Sequence, residues 1–136
     1  MSHVRQQVRD AVVTALEPLG GVHASRLYPV QQDELPVFLV YLGDEEIEGD
    51  FQTLERRLEV VVEIVVDGQT FDNDLEDQVA AVEVALTGDL GQLVRDFRPT
   101  GIELSASVEG ATAIGRARIT FEALYRTSYS DPETAI

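Results

Sequence analysis

The sequence predicts an α+β domain: a mainly antiparallel sheet of about four to five strands, with two helices packed on one face. Two observations carry that prediction. Residues 54–66, LERRLEVVVEIVV, alternate like a strand, and two other segments repeat apolar residues at helical spacing. In the spine Leu54, Leu58, Val60, Val62, Ile64 and Val66 share one parity, which only Arg56 breaks, while Glu55, Arg57, Glu59 and Glu63 hold the other, with Val61 and Val65 as its exceptions. Successive strand side chains point to opposite faces, so this segment buries one face and leaves the other largely polar. Its β-branched content argues further against a helix.

The elements follow in order. Val4, Val8, Val12 and Ala15 recur at steps of three and four, which predicts an amphipathic helix over residues 2–16. Pro18 and Gly20-Gly21 end it. Residues 22–28 read as a short strand and 31–34 as a polar loop. The continuous apolar run PVFLVYL at 36–42 predicts a strand covered on both faces. The acidic stretch GDEEIEGDFQT at 43–53 then reads as a connection, or as a long hairpin whose arms extend past the sheet. Leu75, Val79, Val82 and Leu86 predict a second helix, opened by Asn73 with Glu76 as a capping pair and stopped at Gly88. Residues 90–97 read as a short helical turn broken by Pro99-Thr100-Gly101. Alternation over 102–109 and 116–126, around a turn at Gly110, predicts a second hairpin. The order is α–β–β–β–α–β–β, in one domain over residues 1–128 with a flexible tail at 129–136.

Composition excludes several function classes. With 136 residues and 44% hydrophobic content, the chain is long and apolar enough to fold around a core. The absence of cysteine removes disulfides, thiolate catalysis and cysteine-based zinc sites. A formal charge of −15 opposes binding to nucleic acid or to anionic membrane surfaces. No apolar run has the length of a membrane span and the N-terminus has no signal-like run, so a cytoplasmic origin is expected.

No catalytic, cofactor or metal motif emerges. The acidic run Asp72-Asn73-Asp74-Leu75-Glu76 superficially resembles a calcium loop, but Asp77 stands where the sharp turn needs glycine. The two histidines, His3 and His23, lack the spacing of a metal pair. Residues 110–115, GATAIG, have no Lys-Ser/Thr and read as a hairpin turn rather than a phosphate loop. The candidate functional residues are therefore those of an interface. Ile47 and Phe51 are apolar on an acidic connection, and Arg56, Arg57, Arg116 and Arg118 are cations on strands. For Arg57, Arg116 and Arg118 the plainer reading is cross-strand pairing with Glu55, Glu59, Glu103 or Glu122. Alternation places Arg56 on the apolar face, either at the sheet margin or reaching a carboxylate outside the domain.

Taken together, VRQQVRDAVVTAL, LPVFLVYLGDEEIEGD, RRLEVVVEIVV, LEDQVAAVEVAL and ARITFEALYRTSY resemble, in order and spacing, the tail terminator proteins of long-tailed bacteriophages, the minor tail protein U-like family. The resemblance implies a non-enzymatic virion protein at the head-proximal end of the tail. Such a protein assembles as a homo-hexameric ring, caps the tail tube protein's polymer and presents the surface that joins the head–tail connector. DNA would pass the ring lumen without specific binding, and an acidic protein suits that passage. No cofactor is implied. The alternatives are another neck or head-completion protein, or a small dimeric α+β ligand-binding domain or enzyme.

Overall fold

The computed structural model describes residues 2–25, 27–29, 35–67, 71–87, 90, 92–109 and 112–136, with the side chains at 71–74, 109 and 112 left out. Helix α1 (Val4–Leu16) is followed by a 3-10 turn (Glu17–Leu19) and β1 (Gly21–His23). Strands β2 (Val37–Gly49) and β3 (Thr53–Asp67) precede α2 (Phe71–Ala85), and β4 (Asp96–Glu109), β5 (Thr112–Ser128) and β6 (Asp131–Ala135) complete the order.

The sheet has six strands in the order β1-β2-β3-β5-β4, with β6 on β5, rather than the four to five expected. The spine is its centre, paired antiparallel to β2 from Val37↔Val65 to Gly49↔Leu54 and to β5 from Thr53↔Ser128 to Asp67↔Ile114. Among the described strands only β1 runs parallel to its neighbour. The apolar parity of β3 meets Phe38 and Val40 on one side and Ala117, Ile119, Phe121 and Ala123 on the other. The two helices close this face with Val4, Val8, Val12 and Leu16 from α1 and Leu75, Val79 and Val82 from α2, with Leu86 just past its end.

The layering departs from two plain layers. Val37, Leu39 and Val65 form a second small core on the opposite face with Tyr28, Leu35 and Ile114, which is why the run 36–42 is apolar on both parities. Along β4 from residue 98 to 108 no described helix covers the strand, and these residues are all exposed.

Three local expectations are corrected. Residues 90–97 are not a helical turn running into a break, because β4 already begins at Asp96 and passes through Pro99 and Gly101 with only a register irregularity. An edge strand tolerates proline because one of its edges needs no ladder donors. Phe97 stacks on Phe121 at 4.9 Å, anchoring the strand's start. The residues read as a loose tail contain β6, joined to β5 at Thr127↔Ala135 and Ser128↔Asp131. Backbone pairing, invisible to side-chain periodicity, orders them. The acidic connection is itself strand: β2 continues to Gly49, and β5 backs the arm along its length, so the arm is not projecting beyond the sheet. The loop at 31–34, the helix stop at Gly88, the turn at Gly110 and the Asn73 cap lie outside what the structure describes.

Candidate functional site: a buried ionic cluster and an apolar rim

Arg56 is explained from inside the fold. It is 7% exposed, and its Nη1 donates to Glu45 Oε1 at 2.9 Å while Nε donates to Thr127 Oγ1 at 3.0 Å. The Tyr125 hydroxyl donates to the other Glu45 oxygen at 2.6 Å. Both carboxylate oxygens and two faces of the guanidinium are thus occupied, as a buried ion pair requires. The carboxylate sought outside the domain is Glu45, so the Arg56 charge is paired inside the subunit. Burial, then the Glu45 hydrogen bond, pushes the Tyr125 hydroxyl well above its ordinary titration range.

A bulge assembles this cluster. Between Leu42 and Glu45 the β2–β3 register slips, so Leu42 faces Val60 but Glu45, not Asp44, faces Leu58. The extra residue reverses the parity of the arm and turns Glu45 and Ile47 onto the helix face. Gly43, inside the bulge, is where a Cβ would meet the Glu59 carboxylate at 2.6 Å.

His3 joins the cluster from the start of α1. Its Nδ1 accepts the Arg5 backbone N–H at 3.1 Å, capping the helix, and this assigns the neutral ring proton to Nε2. The Arg56 Nη1 lies 3.5 Å from Nε2, a contact between two donors. Burial and then the Arg56 charge hold the His3 pKa below 6.5. The unfolded chain therefore takes up the histidine proton first on acidification, and stability present above pH 6.5 is lost as pH falls through the depressed folded value. Chemical denaturation at a series of pH values from about 8 to 5 should show this fall, and His3→Asn, which keeps a cap acceptor without the titration, should show a shallower one. Equal slopes for both proteins would contradict the assignment.

The apolar candidates lie at the arm. Phe51 is 88% exposed in the β2–β3 turn and meets Tyr129 edge-on, ring centroids 6.1 Å apart. The turn is well held. Asp50 Oδ1 accepts from Gln52 and Thr53 backbone N–H groups at 2.7 and 3.0 Å, which draws its pKa down, and Tyr129 N–H donates to Gln52 O at 2.9 Å. Gly49 has φ +148°, and a Cβ there would run into the Thr53 carbonyl. Ile47 is 50% exposed on the outer strand of the arm, opposite Arg56.

The remaining arginines form a ladder on the open face of the sheet. Arg116 pairs with Glu63 at 3.0 Å, and Tyr41 donates to the same carboxylate at 3.0 Å. Arg57 bridges Glu122 at 3.5 Å and Glu55 at 3.7 Å. Arg118 lies in register between Glu63 and Glu103 but forms no ion pair among the described residues. It lines an open groove with Tyr41, Asp44, Glu59 and Thr120. Among the described residues no His, Asp and Glu cluster is disposed to hold a metal ion, and no helix is long and apolar enough to cross a membrane.

Sequence reasoning missed Glu45, Tyr125, Thr127, His3 and Tyr129 at this end of the sheet, and the exposure of β4 at the other. No protein-family model and no curated protein matches the chain. A solved structure titled as the virion of a native gene transfer agent particle contains a chain that is similar over 92% of both chains, at 22% identity and a TM-score of 0.36.

Proposed function

We propose that this protein is a tail terminator of a phage-like particle. As such it is a structural subunit that assembles as a six-membered ring at the head-proximal end of the tail. The ring caps the polymer of the tail tube protein and offers the joining surface for the head–tail connector. The observation that carries the reading is incompleteness as a monomer: residues 98–108 of an edge strand are exposed throughout, apolar positions included, and Phe51 stands out on a rigid turn. Folded subunits leave long apolar edges of this kind for a partner to cover. The resemblance of the chain's ordered segments to terminator sequences supplies the identity of that assembly. In this role the protein catalyses nothing and needs no cofactor, and its net negative charge keeps passing DNA from adhering to the ring.

The test is length control. Tube protein polymerising alone should give overgrown tubes, and adding this protein should halt growth with density at one tube end by negative-stain imaging. Unchanged tube lengths with bare ends would contradict the proposal.

The arm gives a sharper expectation within it. Phe51→Ala removes an aromatic ring held ready by an ordered turn, the kind of anchor on which interface energy concentrates. Assembly should weaken by about 2 kcal/mol, roughly 30-fold, per contact. The monomer's denaturation midpoint should barely move, because so exposed a side chain contributes little to folding. Sedimentation of variant and parent over a concentration series reads both quantities, and identical assembly would remove Phe51 from the interface.

A further inference from the structure

Among the described residues the sheet has two open edges, and they are complementary. β4 is the terminal strand, and no described strand pairs with its outer edge. Ile102, Leu104, Ala106 and Val108 pair with Ile119, Ala117, Gly115 and Ala113, so they lie on the helix-side face of the sheet, yet Val108 is 72% exposed and Ile102 and Leu104 are also exposed. Between residues 102 and 108 there is one charge, Glu103, and no proline or lysine, the residues that ordinarily blunt an edge. At the opposite edge β1 covers β2 only from Val37 to Leu39, and no described strand pairs with the outer edge of residues 44–49. There Ile47 is exposed on the same helix-side face.

We infer that β4 of one subunit docks along residues 44–49 of β2 in a second copy, extending the sheet from subunit to subunit. The inference rests on the ring reading above and names the contact that builds it. Strand polarity favours this occupant. The three pairings between β2 and β4 in the order β2-β3-β5-β4 are all antiparallel, so β2 and β4 run in opposite directions. Copies related by rotation about an axis along the strands therefore bring β4 against the next β2 in an antiparallel ladder, with their helices on the same side. That pairing sets the β4 stripe beside Ile47 on one face. On the other, Ser105 and Ser107 can donate to Glu46 and Glu48 instead of facing them with like charge. A two-fold β4–β4 pairing would cover one edge of each subunit, leave β2 open and stop at a dimer.

Because the chain has no cysteine, engineered cysteines report the contact cleanly. Glu46→Cys is combined in turn with Glu103→Cys, Ser105→Cys and Ser107→Cys, and each assembled protein is oxidised and run under denaturing conditions. The expected result is a covalent ladder of several subunits for at least one double variant, with no cross-link from Glu46→Cys or the β4 variants alone. Dimers from Ser105→Cys alone, or intact rings by native mass spectrometry without a ladder from any pair, would overturn the inference while leaving the ring reading standing. Failure of the parent protein to assemble, even with tail tubes added, would overturn both. A second variant, Leu104→Glu, should keep the monomer's thermal midpoint and lose assembly, and normal assembly would count against the β4 contact.

Discussion

Arg56→Ala should lower the unfolding free energy by about 3–5 kcal/mol, the loss expected when one partner of a buried ion pair is removed. The side chains of Arg56 and Glu45 are 8% and 4% exposed, so solvent does not screen their 2.9 Å contact. Removing the guanidinium leaves Glu45 buried with only the Tyr125 hydroxyl as partner, and leaves Thr127 Oγ1 without its donor. Arg56→Lys should recover little, since an ammonium cannot reproduce the two-directional fork that reaches both Glu45 and Thr127. Arg56→Met with Glu45→Leu should recover much of the loss, because the apolar pair avoids desolvating two charges. Urea denaturation of the four proteins checks the pattern. A loss below about 1 kcal/mol for Arg56→Ala would mean that the pair behaves as a surface salt bridge.

Phe121→Ala should cost about 3–5 kcal/mol and loosen β4 in particular. Phe121 is 2% exposed at the middle of β5, and its ring is the partner on which Phe97 stacks. Its loss opens a cavity in the core on the helix side of the sheet and removes the aromatic anchor of the edge strand. The remaining attachment of β4 is its backbone ladder to β5 and peripheral contacts. Hydrogen exchange should therefore rise in residues 96–109 more than in β2 or β3. A uniform rise over the whole sheet would show that the stack has no special part in holding the edge.

The sheet's centre was legible because side-chain periodicity writes it. The alternation of Val60, Val62 and Ile64 against Glu59 and Glu63 located the spine, and the four-residue steps of Val4, Val8 and Val12 located α1. Arg56 was also legible as an anomaly on an apolar parity. Its partner was not, because the bulge after Leu42 reverses the arm's parity, and no alternation rule applied to residues 43–49 would turn Glu45 inward. Tyr125 and Thr127 reach the same cluster from 69 and 71 positions away in sequence, a juxtaposition created only by the β3–β5 register. Pro99 and Gly101 misled for a related reason. They interrupt most strands, but among the described residues β4 is paired along one edge. The strand β6 was hidden because its pairing rests on backbone groups that every residue possesses.

The measurement that tests the central claim most directly is native mass spectrometry over a concentration series, with negative-stain imaging of any assembly, carried out with and without purified tail tubes. A six-fold ring with a central hole, formed free in solution or on tube ends, is the expected result. A dimer that persists at every concentration and stays off the tubes would contradict it.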